Sequence, residues 1–225
     1  MTPLTSAVRA DGGREAGNMG VMARAIEEPR NARSRRSRTA LLRAARELVE
    51  EHGMAATTMA AVAERAGVSR RAVYLHFASR ADLISELFDH VNEVEDLRGR
   101  FAAVGEAPDA VTALEMFARR HADLMSRVLA VARAVEREAG SDPDAARHWE
   151  EAMRRRYETN HALILRLDEE GVLAPGWTVD TATDMLLALI ANEVSGTLLD
   201  DRGWSPGQIG DHMALLLRST FVTGG

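Results

Sequence analysis

The 225-residue chain has no cysteine, no lysine and few aromatic residues, which make up only 4% of its composition. Without cysteine it cannot form disulfides or thiolate metal sites, so we expect a cytoplasmic protein. No uninterrupted apolar run approaches the ~20 residues that span a bilayer, and the first residues lack the basic-then-apolar plan of a signal peptide. The sequence therefore predicts no contact with a membrane.

All 28 cationic residues are arginines, and the formal net charge of −6 argues at first against a nucleic-acid partner. The charges are unevenly distributed, however. Residues 30–80 hold 11 arginines against four glutamates, whereas residues 81–225 hold 14 arginines against 26 acidic residues. A basic N-terminal part can be drawn to phosphate even when the rest of the chain is acidic.

Glycine stops and hydroxyl caps predict the helices of this basic part. A first helix is expected over roughly residues 37–52, ending at Gly53, and the Thr57–Thr58 pair caps a second helix. Gly67 allows the left-handed backbone of a sharp turn, after which Ser69 caps a third helix. The result is two short helices joined by a tight turn.

The third helix carries cationic and aromatic side chains at its start, which is typical of a helix that enters the DNA major groove. Arg70 and Arg71 lie in its first turn, from which a guanidinium can reach guanine O6 and N7. Tyr74, one turn further, can reach a phosphate or a thymine methyl group. Ordinary exposed side chains on an amphipathic helix are the plainer explanation, but the caps and the turn together favour DNA binding.

Longer helices are predicted after residue 107. They begin near residues 109, 143, 178 and 206 and run to about residues 138, 170, 199 and 221. The predicted fold is all-α, with an N-terminal three-helix helix-turn-helix DNA-binding domain over residues 37–91 and a C-terminal helical ligand-binding and dimerisation domain over residues 92–225. We name these two parts the head and the body.

Residues 1–36 lack a sustained period and a plausible core face, so a disordered basic N-terminal arm is predicted there. Such an arm can lie along a phosphate backbone or in a minor groove. It can equally be a tail that only keeps the protein soluble, and the sequence does not distinguish the two.

Residues 38–91 resemble the N-terminal DNA-binding domain of the TetR/AcrR family of transcriptional regulators. The family pattern appears here as Gly53, Thr57-Thr58-Met59, Ala63-Glu64, Gly67-Val68-Ser69, Tyr74-Leu75-His76-Phe77 and Ser79-Arg80-Ala81-Asp82-Leu83. The resemblance implies phosphate contacts at Thr58, Ser69, Tyr74, His76 and Arg80, with base reading around Arg70 and Arg71. The predicted DNA-binding residues also include Arg38, at the start of the first helix, and the cap residue Thr57. The full set is Arg38, Thr57, Thr58, Ser69, Arg70, Arg71, Tyr74, His76 and Arg80.

Two positions depart from the family pattern. Arg71 stands where a small residue is frequent, which alters the expected sequence preference. Leu75 replaces a frequent aromatic residue, which puts a stacking or thymine contact at that position in doubt.

The family resemblance also implies a small-molecule effector in the body. Met, aromatic and His side chains recur at three- and four-residue intervals on two adjacent predicted helices, which suits an adaptable apolar pocket. These candidate ligand-binding residues are Met116, His121, Met125, Trp149, Met153, Tyr157 and His161. A stripe at helical spacing is more often plain core. Glu115 and Glu193 leave room for a cationic ligand.

Residues 185–191 are apolar nearly all round, so one face is expected to pack on its own chain and the other on a partner copy. The candidate dimer-interface residues are Leu186, Ile190, Met213 and Leu216. A helix buried inside one large monomer is the alternative, although the family resemblance implies dimers that bind palindromes.

The sequence thus predicts a repressor that binds operator DNA as a homodimer and releases it when an unknown small-molecule effector binds. An architectural DNA-binding protein with little sequence preference, and a protein-interaction or ligand-sequestering module, are the two rival hypotheses. No metal site, cofactor or enzyme activity is predicted, because the seven histidines follow no metal-binding spacing and no phosphate loop or nucleophile elbow occurs.

Overall fold

The structure is a computed structural model that describes residues 15–224, with side chains from residue 32 onward except those of residues 97 and 98. The helices are α1 (Glu15–His52), α2 (Met59–Arg65), α3 (Arg70–Tyr74), α4 (Arg80–Val94), α5 (Leu97–Gly105), α6 (Ala110–Glu138), α7 (Pro143–Glu169), α8 (Val179–Leu189), α9 (Asn192–Gly196) and α10 (Pro206–Phe221). Apart from one isolated bridge between Leu173 and Val222, no β-structure occurs within the described residues. The all-α prediction is confirmed.

The predicted caps of the head are confirmed. The hydroxyl oxygens of Thr58, Ser69 and Ser79 accept hydrogen bonds from backbone N–H groups three residues later, at 3.1, 3.2 and 3.1 Å. Gly53 and Gly67 adopt φ values of +84° and +67°, the left-handed region in which a side chain would be strained. Local chemistry therefore sets the boundaries of α1, α2, α3 and α4.

The first helix begins at Glu15, whereas residues 1–36 are predicted to be a disordered arm. Alanine, arginine and glutamate are frequent over this stretch and have high helix propensity. The helix α1 therefore begins well before the apolar residues that pack in the core. Residues 1–14, the rest of the predicted arm, lie outside the described residues.

Two apolar cores organise the chain. The first is formed by α1 to α4 together with Val131, Ala134 and Val135 from the end of α6 and Ala145 from the start of α7. The second joins the first half of α6 to α7, α8 and α10. The head is therefore docked on the junction between α6 and α7, the α6–α7 junction, rather than hanging from a linker.

The helix predicted over residues 178–199 is broken. After α8 the chain turns at Ile190, passes through extended backbone at Ala191, and resumes as α9 and a π-helical turn, Thr197–Asp201. Contrary to the expectation from the sequence, the segment Val179–Asp201 is long and apolar enough, with a mean hydropathy of 1.2, to cross a membrane by length and composition alone. Because it is broken and buries Leu186 and Ile190 in the second core, it is packed as a core segment.

Candidate nucleic-acid interface and its link to the body

The exposed surface of α3 is the candidate nucleic-acid interface. Val73 is completely buried and fixes the helix against the first core, which leaves Arg70 and Arg71 exposed on its outer side. Tyr74 is 49% exposed and Leu75, at the end of the helix, 78% exposed. A short rigid helix thus presents two cations, a phenol and an apolar side chain to solvent.

Arg70 and Arg71 differ from most arginines of the head in their ion pairing. Arg65 binds both carboxylate oxygens of Glu51, at 2.9 and 2.6 Å, and Arg46 binds Glu50 at 2.7 Å. Among the described side chains, neither Arg70 nor Arg71 has a carboxylate within 4.0 Å. Their guanidinium groups are thus available to an external anion or base edge.

Thr58 and Ser69 lie at the exposed N-termini of α2 and α3, where free backbone N–H groups suit phosphate oxygens. His76 is partly buried beside Phe77, with 6.3 Å between the ring centroids. Arg38 donates a hydrogen bond to the His76 carbonyl, pairs with Glu86 and lies over the Phe77 ring, 5.1 Å from its centroid. Arg38 is therefore engaged within the head in this conformation.

Two predicted DNA contacts have other roles in the structure. Thr57 is completely buried, and its hydroxyl donates to the Gly53 carbonyl at 3.0 Å, so it shapes the turn before α2 instead of facing DNA. Arg80 donates hydrogen bonds to the carbonyls of Thr57 and Met54, at 3.1 and 2.6 Å. A sequence motif does not reveal which neighbours the folded chain brings to such residues.

Arg80 instead joins the head to the body. Its guanidinium pairs with Asp142 at 2.8 Å and with Asp144 at 2.9 Å, both at the start of α7. Burial by itself raises the pKa of Asp142, but hydrogen bonds from the Ala145 N–H and from Arg80 outweigh it, so the net pKa is lowered. Asp142 is therefore held ionised against Arg80.

Glu138, the last residue of α6, makes a second link. Its carboxylate accepts hydrogen bonds from the backbone N–H groups of Met54 and Ala55, at 2.7 and 2.5 Å. A side chain at Gly53 would collide with this carboxylate, which adds to the need for glycine there. Glu138 and Arg80 together fix the turn between α1 and α2 to the α6–α7 junction.

Two further contacts connect head and body. Phe88 of α4 stacks on His148 of α7, with ring centroids 3.3 Å apart, and burial lowers the pKa of His148 to about 4. Arg46 of α1 donates to the Arg127 carbonyl of α6 at 2.8 Å. The recognition helix is thus attached, through α1 and α4, to both long helices of the body.

The predicted ligand-binding residues do not form one group. Trp149 packs against the first core, and Met116 against the second. Tyr157 is 40% exposed and stacks on His161, with 5.9 Å between ring centroids. The helical spacing predicts residues on the same side of each helix. Because α6 and α7 are long, however, residues on one side of a helix contact different parts of the molecule along its length.

His121 and Met125 are buried on α6 and belong to neither apolar core, and Met153 is partly buried on the facing helix α7. Burial lowers the pKa of His121 to about 3, so the ring is neutral near pH 7. Of the predicted set, His121, Met125 and Met153 remain between the two cores.

Sequence reasoning missed Arg156, Asn160 and Asn192, which accompany His121. Asn160 is 1% exposed, and burial lowers the pKa of Arg156. Arg156 donates to the Asn192 side chain at 3.4 Å, and Asn192 donates to Glu136 at 2.8 Å. The available signal was the interruption of an otherwise apolar helical face by Asn160 and Asn192. Together, His121, Glu136, Arg156, Asn160 and Asn192 form what we name the polar layer.

Three of the four predicted dimer-interface residues are buried within their own chain, so they do not offer a surface to a partner copy. Leu186, Ile190 and Met213 are 0%, 1% and 8% exposed because they pack in the second core of their own chain. Leu216 is 44% exposed, as predicted for an interface residue. A segment that is apolar on all sides does not indicate by itself which side faces inward.

No group of three or more His, Asp or Glu side chains that could hold a metal ion occurs among the described residues. Glu115, considered for a cationic ligand, pairs with Arg218 at 3.1 Å on the surface.

Comparison with known proteins adds to this geometry. Residues 41–87 match the family model described as bacterial regulatory proteins, tetR family. The chain is 37% identical over 78 residues to the HTH-type transcriptional regulator TtgR of Pseudomonas putida, and 36% identical over 78 residues to the probable regulator ArpR of the same species. Each match covers 35% of this chain and 36% of the relative, so the chain spans about a third of the length of these curated relatives.

Similarity to solved structures extends over most of the chain. NalD, the secondary repressor of the MexAB-OprM multidrug efflux pump in Pseudomonas aeruginosa, is 25% identical, with a TM-score of 0.63 over 85% of this chain and 100% of that one. A transcriptional regulator from Saccharomonospora viridis in complex with choline is 22% identical, with a TM-score of 0.67 over 84% of this chain and 98% of that one. The second match shows the fold alone.

Proposed function

We propose that the chain is a sequence-specific transcriptional repressor of the TetR family of bacterial regulatory proteins, whose family model residues 41–87 match. It binds a palindromic operator as a homodimer and is released by a small-molecule effector. The single observation that carries the DNA-binding part is the exposed α3 surface, on which Arg70 and Arg71 have no carboxylate partner among the described side chains.

On DNA, α3 would enter the major groove with its first turn against the base edges. Arg70 and Arg71 would bind guanine O6 and N7, the most frequent specific contact of arginine. The N-termini of α2 and α3, capped by Thr58 and Ser69, would bind phosphates and set the register. Leu75, the most exposed of the large apolar side chains, would contact a thymine methyl group.

The homodimer is supported by an exposed apolar surface on α8 and α10. Met185, Leu215 and Leu216 are 41%, 66% and 44% exposed there. We name them the α8–α10 patch. Large apolar side chains that are exposed in the single chain favour association with a second copy. In such a two-fold dimer the two α3 helices would lie about 34–36 Å apart, one turn of DNA.

Effector release is supported by the path of the long helices. Both α6 and α7 run from the polar layer to the α6–α7 junction that holds the head. A ligand that shifts either helix would change the spacing of the two recognition helices and so disfavour the operator-bound conformer. Repression is supported by the likeness to NalD, whose description names it a repressor of an efflux pump.

The test is a selection of bound sequences from a random duplex library, carried out at near-physiological salt so that unspecific phosphate binding is suppressed. The proposal predicts an enriched inverted repeat whose half-sites lie about one helical turn apart. Enrichment of a single half-site would contradict the dimer.

Equal binding of all sequences would contradict specific reading and support the architectural hypothesis. Absence of binding by the folded protein would support a ligand-sequestering or protein-interaction module instead.

A further inference from the structure

Two buried side chains of the polar layer carry atoms that have no hydrogen-bond partner among the described protein atoms. They are the Nε2 atom of His121, a residue 7% exposed, and both amide atoms of Asn160, a residue 1% exposed. Buried polar groups are almost always paired, because an unmet donor or acceptor loses its water without replacement. Two such residues on α6 and α7 therefore indicate a binding site for a polar group from outside the chain.

The position of these atoms supports a single site. Arg156 and Asn160 are one turn apart on α7 and hence on the same face. Arg156 is close enough to His121 to contribute to its lowered pKa, although burial contributes more. The site thus spans α6 and α7 between the two apolar cores.

The backbone next to this site is irregular. The carbonyl of Ile190, where α8 ends, lies against the His121 ring and favours a proton on it. Ala191 is extended, with ψ of 153° and no side-chain cap, and a π-helical turn follows α9. Interrupted helices and π-turns occur frequently at functional sites because they free backbone groups and ease local movement.

The charges of the layer do not select the ligand. Arg156 lies near the carboxylates of Glu136 and Glu193, with no ion pair within 4.0 Å among the described side chains. These three charges lie around Arg156, so they do not set the charge of a group held between His121 and Asn160.

The unpaired atoms instead require one group that both donates and accepts. The neutral ring of His121 presents its unpartnered Nε2 atom, which donates or accepts according to the tautomer. The Asn160 amide offers both a donor and an acceptor. A hydroxyl group meets these requirements without bringing a charge, while apolar side chains such as Met125 and Phe117 would contact the rest of the molecule.

We propose that the polar layer binds an uncharged apolar molecule through a hydroxyl group held between His121 and Asn160. The inference deepens the proposed function and rests on it only in naming this ligand as the effector. Bound there, the molecule would contact α6 and α7 at once, above the α6–α7 junction that orients the head.

The experiment uses the full chain without DNA and four probes that share a toluene ring and differ in one substituent: p-cresol, toluene, 4-methylbenzoate and 4-methylbenzylammonium. Binding is measured by calorimetry and by the ring signals of His121 in nitrogen-15 spectra. We expect p-cresol to bind at least about tenfold more tightly than the other three, because only its hydroxyl pairs with the unmet atoms. Its binding should shift the His121 signals without protonating the ring.

Asn160→Leu tests the same site by the sign of its effect on stability. If the amide is unpaired, removing it should raise Tm by about 2–4 °C while p-cresol affinity falls about tenfold or more. Thr159→Val, an exposed polar-to-apolar change at the neighbouring position of α7, is the matched control and should change neither quantity.

Tightest binding of 4-methylbenzoate or 4-methylbenzylammonium would overturn the uncharged class. Absence of binding by all four probes, or a loss of stability in Asn160→Leu, would overturn the site and make the layer a structural network. If p-cresol binds as expected but leaves the complex with the selected operator intact, the site stands and effector release through it fails.

Discussion

Whether an arginine can read DNA depends on what already holds its guanidinium group. Arg38, Arg46, Arg65 and Arg80 are all in ion pairs. Arg80 is the clearest case, because two aspartates and two carbonyls use its donors. Recruiting such a residue to phosphate would require breaking contacts that connect the head to the body.

The first prediction concerns Arg70. Arg70→Ala should cost about 1–3 kcal/mol of binding free energy at the selected operator and relax the preference at one base position. Binding would be measured by fluorescence anisotropy on operator and random duplexes. Arg43→Ala, which removes an exposed arginine from α1 at 3.9 Å from Glu47, is the control and should change neither. An equal loss on both duplexes would make Arg70 a phosphate contact.

The second prediction concerns acid stability. The pKa values of His121 and His148 are lowered to about 3 and about 4, against about 6.5 in an unfolded chain. Between pH 6.5 and these values the unfolded state binds more protons, so the stability of the fold decreases as pH falls. At pH 5 each histidine lowers the free energy of unfolding by up to about 2 kcal/mol relative to pH 7.

The check is thermal unfolding between pH 7.5 and pH 5. His148→Phe keeps an aromatic ring against Phe88 and should reduce the pH dependence of Tm. His52→Gln alters an exposed histidine at the end of α1 and should leave the pH dependence unchanged. A pH dependence that is the same in His148→Phe and in the original protein would contradict the assignment.

At the scale of elements, the α6–α7 junction is where the body holds the head. The Glu138 carboxylate at the end of α6 accepts hydrogen bonds from two backbone N–H groups in the turn after α1. Such charge-assisted hydrogen bonds are stronger than neutral ones. A movement along α6 would thus be transmitted directly to the turn that precedes the DNA-reading helices.

The third prediction tests this link. Glu138→Ala should lower the free energy of unfolding by about 1–3 kcal/mol, because it leaves the Met54 and Ala55 N–H groups without their acceptor. It should also speed hydrogen exchange at those two amides more than elsewhere in the head. Glu150→Ala, an exposed carboxylate on α7, is the matched control. Unchanged exchange at Met54 and Ala55 would show that the link is not made in solution.

Element boundaries were predictable wherever a local hydrogen bond sets them. The start of α10 is predicted by a helix-capping pattern in the sequence, Ser205, Pro206 and Gln208. The structure contains the corresponding capping box. The break after α8 was not predictable, because neither residue at the break, Ile190 or Ala191, is a glycine or a proline. That break depends on the packing of Ile190 in the second core and on contacts of Asn192 with other helices, which no local pattern records.

For the whole molecule, the sequence indicated that α8 and α10 bury apolar surface but not which surface. Leu186 and Leu216 are chemically alike, yet one is fully buried within its chain and the other is 44% exposed. The difference arises from how α10 packs against α6 and α8 packs against α7, which are long-range arrangements. The dimer proposal consequently rests on the α8–α10 patch, Met185, Leu215 and Leu216, and no longer on the buried residues.

The last prediction is that Leu215→Glu combined with Leu216→Glu yields folded monomers, as measured by light scattering. Both side chains are exposed in the chain itself, so the fold loses little when they are replaced, whereas two carboxylates facing their symmetry mates would repel and lose their water. Val94→Glu, at an apolar residue 56% exposed on α4, is the control that should stay dimeric.

The monomer should bind one half-site about as well as before but lose its preference for the inverted repeat, since the two heads are no longer joined. A double variant that remains dimeric and folded would place the interface on another face, and the spacing of about 34–36 Å between recognition helices would then have to come from a different arrangement of the two chains.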